Sequence, residues 1–210
     1  MKRLFASALV IAAAATAWVM LQKKANEPAV ADASPVTAEP SRTSREPRDQ
    51  APLRLPLADP RVVVKKSERR LLLFDGDRQV RAYRVGLGFA PVGDKTSQGD
   101  GRTPEGRFYV CVKNAASKFY LSLGLSYPGK EHAARGLRER IINQSQHDEI
   151  VRALGRRQRP PWDTRLGGEI FIHGNGSSSD WTWGCVALDN ADMKELFDAM
   201  PKGAAVVIEP

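Results

Sequence analysis

Cysteine and histidine are scarce in this chain of 210 residues: two of the former, Cys111 and Cys185, and three of the latter. Two thiols close at most one bridge, which rules out the disulfide framework of a small secreted domain. Either they pair once or at least one is a working thiol. The close Cys or His spacing of ordinary zinc sites is also lacking. His173, Asp180 and Cys185 could supply three ligands by type alone, but the spacing argues against it. No metal and no cofactor are expected. No segment repeats, which excludes solenoids and propellers. Acidic residues are the minority charge, 24 against 32 basic, and the net charge is +8. Such a balance suits nucleic acid, an anionic membrane surface or an anionic wall polymer, and does not choose among them.

What is present divides the chain in three. Residues 1–21 begin with Lys2 and Arg3 and continue from Leu4 to Leu21 without a charge. That is the layout of an export signal, and the run approaches the length that crosses a bilayer as a helix. Ala15-Thr16-Ala17 offers a small-x-small cleavage pattern, yet Trp18 follows and the apolar run goes on to Leu21. An uncleaved membrane anchor is the expectation and a cleaved signal peptide the alternative. Residues 22–60 carry prolines at 28, 35, 40, 47, 52, 56 and 60 and no apolar period, which reads as a disordered spacer. The folded domain is expected over 61–210.

Within that domain the pattern is mainly β. Val62 to Val64, Arg70 to Phe74, Gln79 to Val85 and Gly106 to Lys113 read as strands, with a turn at Asp75-Gly76-Asp77. Lys130 to Arg159 reads as one helical stretch, because Leu137, Ile141, Ile142, Ile150, Val151 and Leu154 fit helical spacing. The segment 130–165 holds nine basic residues against five acidic ones. Arginine-rich helices also bind nucleic acid, but the exported start of the chain argues against a nucleic-acid partner. Ile170 to Ile172 is a short buried strand. Asp189 can cap a last helix bearing Met193, Leu196, Phe197 and Met200 on one face, and Ala204 to Glu209 closes the domain as a strand.

The sharpest chemical signal is the run from Ile170 to Asn190. A buried strand delivers His173 to its end, a Gly- and Ser-rich loop follows, and Trp183-Gly184 leads into Cys185. An imidazole beside a thiol stabilises the thiolate and shuttles its proton. A glycine before the cysteine lets backbone N–H groups face a developing oxyanion. The bland reading is a buried thiol and a structural histidine. Cys111, in an alternating strand, reads as structural.

The run HGNGSSSDWTWGCVALDN resembles the His-Gly…Gly-Cys signature of the L,D-transpeptidase (YkuD-type) catalytic domain. Thr103-Pro104-Glu105-Gly106-Arg107-Phe108 resembles that family's Thr-Pro-x-Gly-x-Phe/Tyr strand entry, and Tyr120 to Pro128 the segment before its variable insertion. The resemblance implies a YkuD-like β-sandwich with an α insertion, lodged in the cell envelope or periplasm. It implies a thioester on Cys185 at the diaminopimelate carbonyl of a peptidoglycan stem tetrapeptide, with D-alanine leaving. An amine of a second stem peptide, or a lysine of an envelope lipoprotein, then accepts the acyl group. Cys185 matches the nucleophile and His173 the base. The Gly174 carbonyl would orient the imidazole, and the N–H groups of Gly184 and Cys185 would make the oxyanion hole. The family's arginine two residues past the cysteine is Ala187 here. Arg102 is a candidate substitute cation, and Trp183 a candidate for the substrate groove. Water as acceptor would make the chain a cysteine amidase or carboxypeptidase, and an inert thiol would leave a cell-wall-binding module.

Overall fold

The computed structural model describes residues 52–210. The expectations for the segment 1–21 and for residues 22–51 of the spacer lie outside them. Eight strands, β1 (Pro60–Lys65), β2 (Arg70–Asp75), β3 (Arg78–Arg84), β4 (Gly106–Ser117), β5 (Tyr120–Leu125), β6 (Phe171–His173), β7 (Val186–Ala187) and β8 (Ala205–Glu209), join in the order β3-β2-β1-β8-β4-β5-β6-β7. Three helices, α1 (Lys130–Arg138), α2 (Gln144–Gly155) and α3 (Asn190–Ala199), complete the domain. The architecture is mainly β with an α insertion.

Alternating burial explains the first half of the sheet. Val62 and Val64 of β1, Leu71 and Leu73 of β2, and Val206 and Ile208 of β8 are buried and share one core. Met193, Leu196, Ala199 and Met200 of the last helix and its end join that core, as the helical spacing predicts. Leu53 and Leu57, in the stretch read as spacer, also pack against it. β1 and β8 run parallel, with Val63 beside Val207. β4 joins the halves of the sheet: Gly106 to Tyr109 pairs with β8, and Val110 to Ser117 with β5.

The predicted single helical stretch is two helices. α1 ends at Arg138, and Arg140 takes a positive φ of 58°. α2 then starts afresh behind Asn143, whose side chain accepts the Gln146 N–H while the Gln146 side chain accepts the Asn143 N–H. This reciprocal cap satisfies two donors that a continuous helix would not expose. Ala133, Ile142, Ile150 and Leu166 form a second small core here, separate from the sheet's. Asp94 ties the insertion to the sheet. Its carboxylate takes bonds from the Glu105 N–H (2.8 Å) and the Arg135 guanidinium (2.7 Å), and lies 3.2 Å from His132 Nε2.

Asp189 occupies the N-cap position of α3 but does not cap it through its side chain. Its carboxylate instead accepts the N–H and hydroxyl of Ser177, at 3.1 Å each, and holds the loop that follows His173.

Candidate active site

β6 and β7 lie side by side and parallel, with Ile172 beside Val186 and His173 beside Ala187. Cys185, directly before β7, is therefore level with Phe171, two residues short of His173. In a regular sheet such a diagonal pair has its backbones about 7–8 Å apart. The structure brings the two residues onto neighbouring strands, but among the described residues no hydrogen bond joins them. The sulfur accepts the Phe171 N–H at 3.4 Å and lies 3.6 Å from the Glu169 carbonyl, to which the S–H donates.

His173 is buried, 2% exposed, and its Nδ1 lies 2.7 Å from the Gly174 carbonyl. A carbonyl only accepts, so Nδ1 carries the hydrogen and Nε2 of the neutral ring keeps its lone pair. Burial lowers the pKa of His173 below its usual value, and the bond to Gly174 partly opposes this. Burial pushes the Cys185 thiol up to about 11, with the Phe171 N–H and the charge of Lys95 pulling the other way. At neutral pH the resting pair is a thiol and an imidazole, not a thiolate and an imidazolium.

Iodoacetamide should therefore alkylate Cys185 of the folded chain about fiftyfold more slowly at pH 9 than in the unfolded chain, where thiols of ordinary pKa 9.0 are half ionised. Cys111 is pushed up to about 11 too, also by burial, so the measurement belongs in a Cys111→Ala background. Fast alkylation at neutral pH that depends on His173 would show a preformed ion pair instead.

The turn into Cys185 is braced by Thr182, which is 3% exposed. Its hydroxyl accepts the Gly184 N–H at 3.1 Å and donates to the Cys185 carbonyl at 2.8 Å. The Gly184 N–H, expected in an oxyanion hole, is thus already engaged. Gly184 has φ +125°, and a Cβ there would meet the Arg102 carbonyl at 2.6 Å. Arg102 touches the site through this backbone contact, while its guanidinium lies 3.4 Å from the Asp94 carbonyl. Ala187 is fully buried. Trp183 is 69% exposed and meets Phe89 edge to face at 5.0 Å.

The loop between His173 and Cys185 is fastened at Asp180. Arg69 donates to it three times, at 2.8–3.1 Å, and the Leu87 N–H once, at 2.9 Å. Asp180 is therefore a brace and stands outside any ligand set with His173 and Cys185. Among the described residues no group of three or more His, Cys, Asp or Glu is placed to hold a metal. Asp180→Ala leaves Arg69 and the Leu87 N–H without their acceptor. It should lower stability by about 1–3 kcal/mol in urea unfolding.

Several contributors escaped the sequence reading. Thr182 had a signal, since a hydroxyl two residues before a glycine is a familiar turn brace. Phe119 had none: it sits 54 residues before His173, and only the β5–β6 pairing brings it near.

The L,D-transpeptidase catalytic domain (YkuD) matches residues 59–208. The chain belongs to the L,D-transpeptidase family. The match spans all eight strands but for the last residue of β8. Among solved structures, this family member is similar to the helical cell shape determining protein Pgp2 from Campylobacter jejuni (19% identity, 72% of this chain and 47% of that one, TM-score 0.50). It is also similar to residues 123–326 of the L,D-transpeptidase from Xylanimonas cellulosilytica (18%, 78% and 64%, TM-score 0.43). A third is Bd1075 of Bdellovibrio bacteriovorus (18%, 73% and 48%, TM-score 0.48). At these identities the likeness concerns the fold, and the chain spans about half to two thirds of those structures. No curated protein sequence matches the chain. Among the described residues no helix is long and apolar enough to cross a membrane.

Proposed function

We propose that this L,D-transpeptidase family member is a cell-envelope acyltransferase that works on peptidoglycan stem peptides through Cys185. The observation that carries this reading is the tautomer of His173. Its Nδ1–H is committed to the Gly174 carbonyl, so Nε2 is the basic atom, one strand away from the only thiol beside it. In the proposed step Cys185 gives up the Phe171 N–H and the Glu169 carbonyl, and its Sγ becomes the partner of Nε2.

The Sγ proton then passes to Nε2 as sulfur attacks the carbonyl of the stem's third residue. The C–N bond to the terminal D-alanine breaks, and its amine takes the proton from the imidazolium. An amine of a second stem, or a lysine of an envelope lipoprotein, opens the thioester and regenerates the thiol. The Cys185 N–H is the donor we assign to the oxyanion, with the Gly184 N–H shared with Thr182. The neutral resting pair fits this order, because charge develops only when substrate arrives. Trp183, exposed two residues before Cys185, is assigned to the substrate groove.

Water as acceptor is the second reading. It is favoured by Ala187, which places no cation where many family members hold an arginine. Incubation with purified tetrapeptide stems separates the two: crosslinked dimer marks transfer to an amine, and tripeptide plus D-alanine marks hydrolysis. Neither product, with no mass adduct on Cys185, overturns the enzyme reading in favour of a wall-binding module.

A further inference from the structure

The imidazole of His173 is enclosed by two aromatic rings that the chemistry above does not use. Phe119, in the turn between β4 and β5, stacks on it with centroids 4.7 Å apart and planes 28° apart. Trp181 meets it edge to face at 5.5 Å, and Phe119 and Trp181 touch each other at 5.9 Å. Phe119 is engaged twice: its carbonyl accepts the Gly174 N–H at 3.0 Å, and the Gly174 carbonyl in turn holds His173 Nδ1. The Trp181 indole is fixed by its N–H to the Gly176 carbonyl at 3.1 Å.

Packing alone is a poor account of these rings. Phe119 and Trp181 remain 42% and 38% exposed while the ring between them is 2% exposed. They cover the imidazole more than they cover themselves. A cation within about 6 Å of an aromatic centroid is attracted to the ring face, and more so where water is kept out.

Resting on the proposed role of His173 as base, we propose that Phe119 and Trp181 are positioning residues that fix the plane of its ring and stabilise the imidazolium formed during proton transfer. Few charges compete for that task. β5 presents uncharged Ser122 beside His173, and β7 presents Ala187 with the Cys185 thiol before it. Lys118, next to Phe119, is exposed. Asp180 is paired with Arg69, and Asp189 is bonded to Ser177. None of these groups is hydrogen-bonded to the imidazole, so the two rings join the Gly174 carbonyl as the partners of its charge.

Proton NMR titration of the full chain tests this without any substrate. The chain has three histidines, and the signals of His132 and His147 serve as internal references. Phe119→Leu and Trp181→Leu should each lower the protonation constant of His173 by about threefold to tenfold, with Phe119→Tyr restoring it. The acid limb of kcat/KM for tetrapeptide should move to lower pH in the same variants, and the plateau should fall by about threefold to thirtyfold. A ring that only covers the imidazole would, once shortened to leucine, let water in and raise the midpoint, because burial is what lowers it. An unchanged or raised His173 midpoint in both leucine variants, with His132 and His147 unmoved, overturns the inference. Full turnover by Cys185→Ser would instead overturn the proposed function, whatever the titration shows.

Discussion

Replacement of Cys185 by serine should lower kcat on stem tetrapeptide by about 10⁴–10⁶, the scale on which loss of a nucleophile from a coupled catalytic pair is felt. A hydroxyl is far less acidic than a thiol, so a base drawn down by burial cannot activate it. The chain should fold as before, because sulfur makes only two weak contacts, to the Phe171 N–H and the Glu169 carbonyl. Intact mass after exposure to a carbapenem reads the same residue independently. One adduct on the native chain and none on Cys185→Ser is the expected pair of spectra. An adduct that persists in the variant would assign the chemistry elsewhere.

Gly184→Ala should also be damaging, to a smaller extent and by a different route. The position has φ +125°, where a side chain is strained, and its Cβ would lie 2.6 Å from the Arg102 carbonyl and 3.2 Å from Ile170 Cδ1. Carbonyl and glycine are both backbone, so relief requires the turn itself to shift. The strain should lower stability by about 1–3 kcal/mol. A turn displaced by about 1 Å should lower kcat/KM by about a hundredfold, since reacting atoms held in place are so sensitive to position. Urea unfolding and steady-state kinetics on one preparation separate the two effects. Wild-type activity in this variant would mean that the turn before Cys185 does not set the geometry of the reaction.

Much of the fold could be read where burial is one-sided. β1, β2 and β8 alternate because one face meets the core, and α3 shows its apolar stripe for the same reason. β5 gave no such pattern: Ser122 to Leu125 are buried without alternation between neighbouring strands. β7 is two residues long, too short for any period. The break between α1 and α2 was hidden because Leu137, Ile141 and Ile142 carry the apolar spacing across it, while the capping pair Asn143 and Gln146 is polar.

The candidate site was legible as a chain segment, less so as an assembly. His173, Gly174, Gly184 and Cys185 lie in one run of sequence, and the parallel pairing of β6 with β7 folds that run back on itself. What the sequence did not carry was the direction of each polar group. The Gly184 N–H turns to Thr182, the Arg102 guanidinium to the Asp94 carbonyl, and Asp180 to Arg69. The first two are settled within a few residues by the turn's own conformation, and only the Asp180–Arg69 pair joins residues far apart in the chain, which no local motif encodes.

β8, the last strand of the chain, is the keystone of the sheet. It alone stands between β1, which brings in β2 and β3, and β4, which brings in the strands beside the thiol. Without β8 the sheet is two incomplete halves with nothing to join them. Closure waits for contacts spanning almost the whole domain, the kind that form slowly.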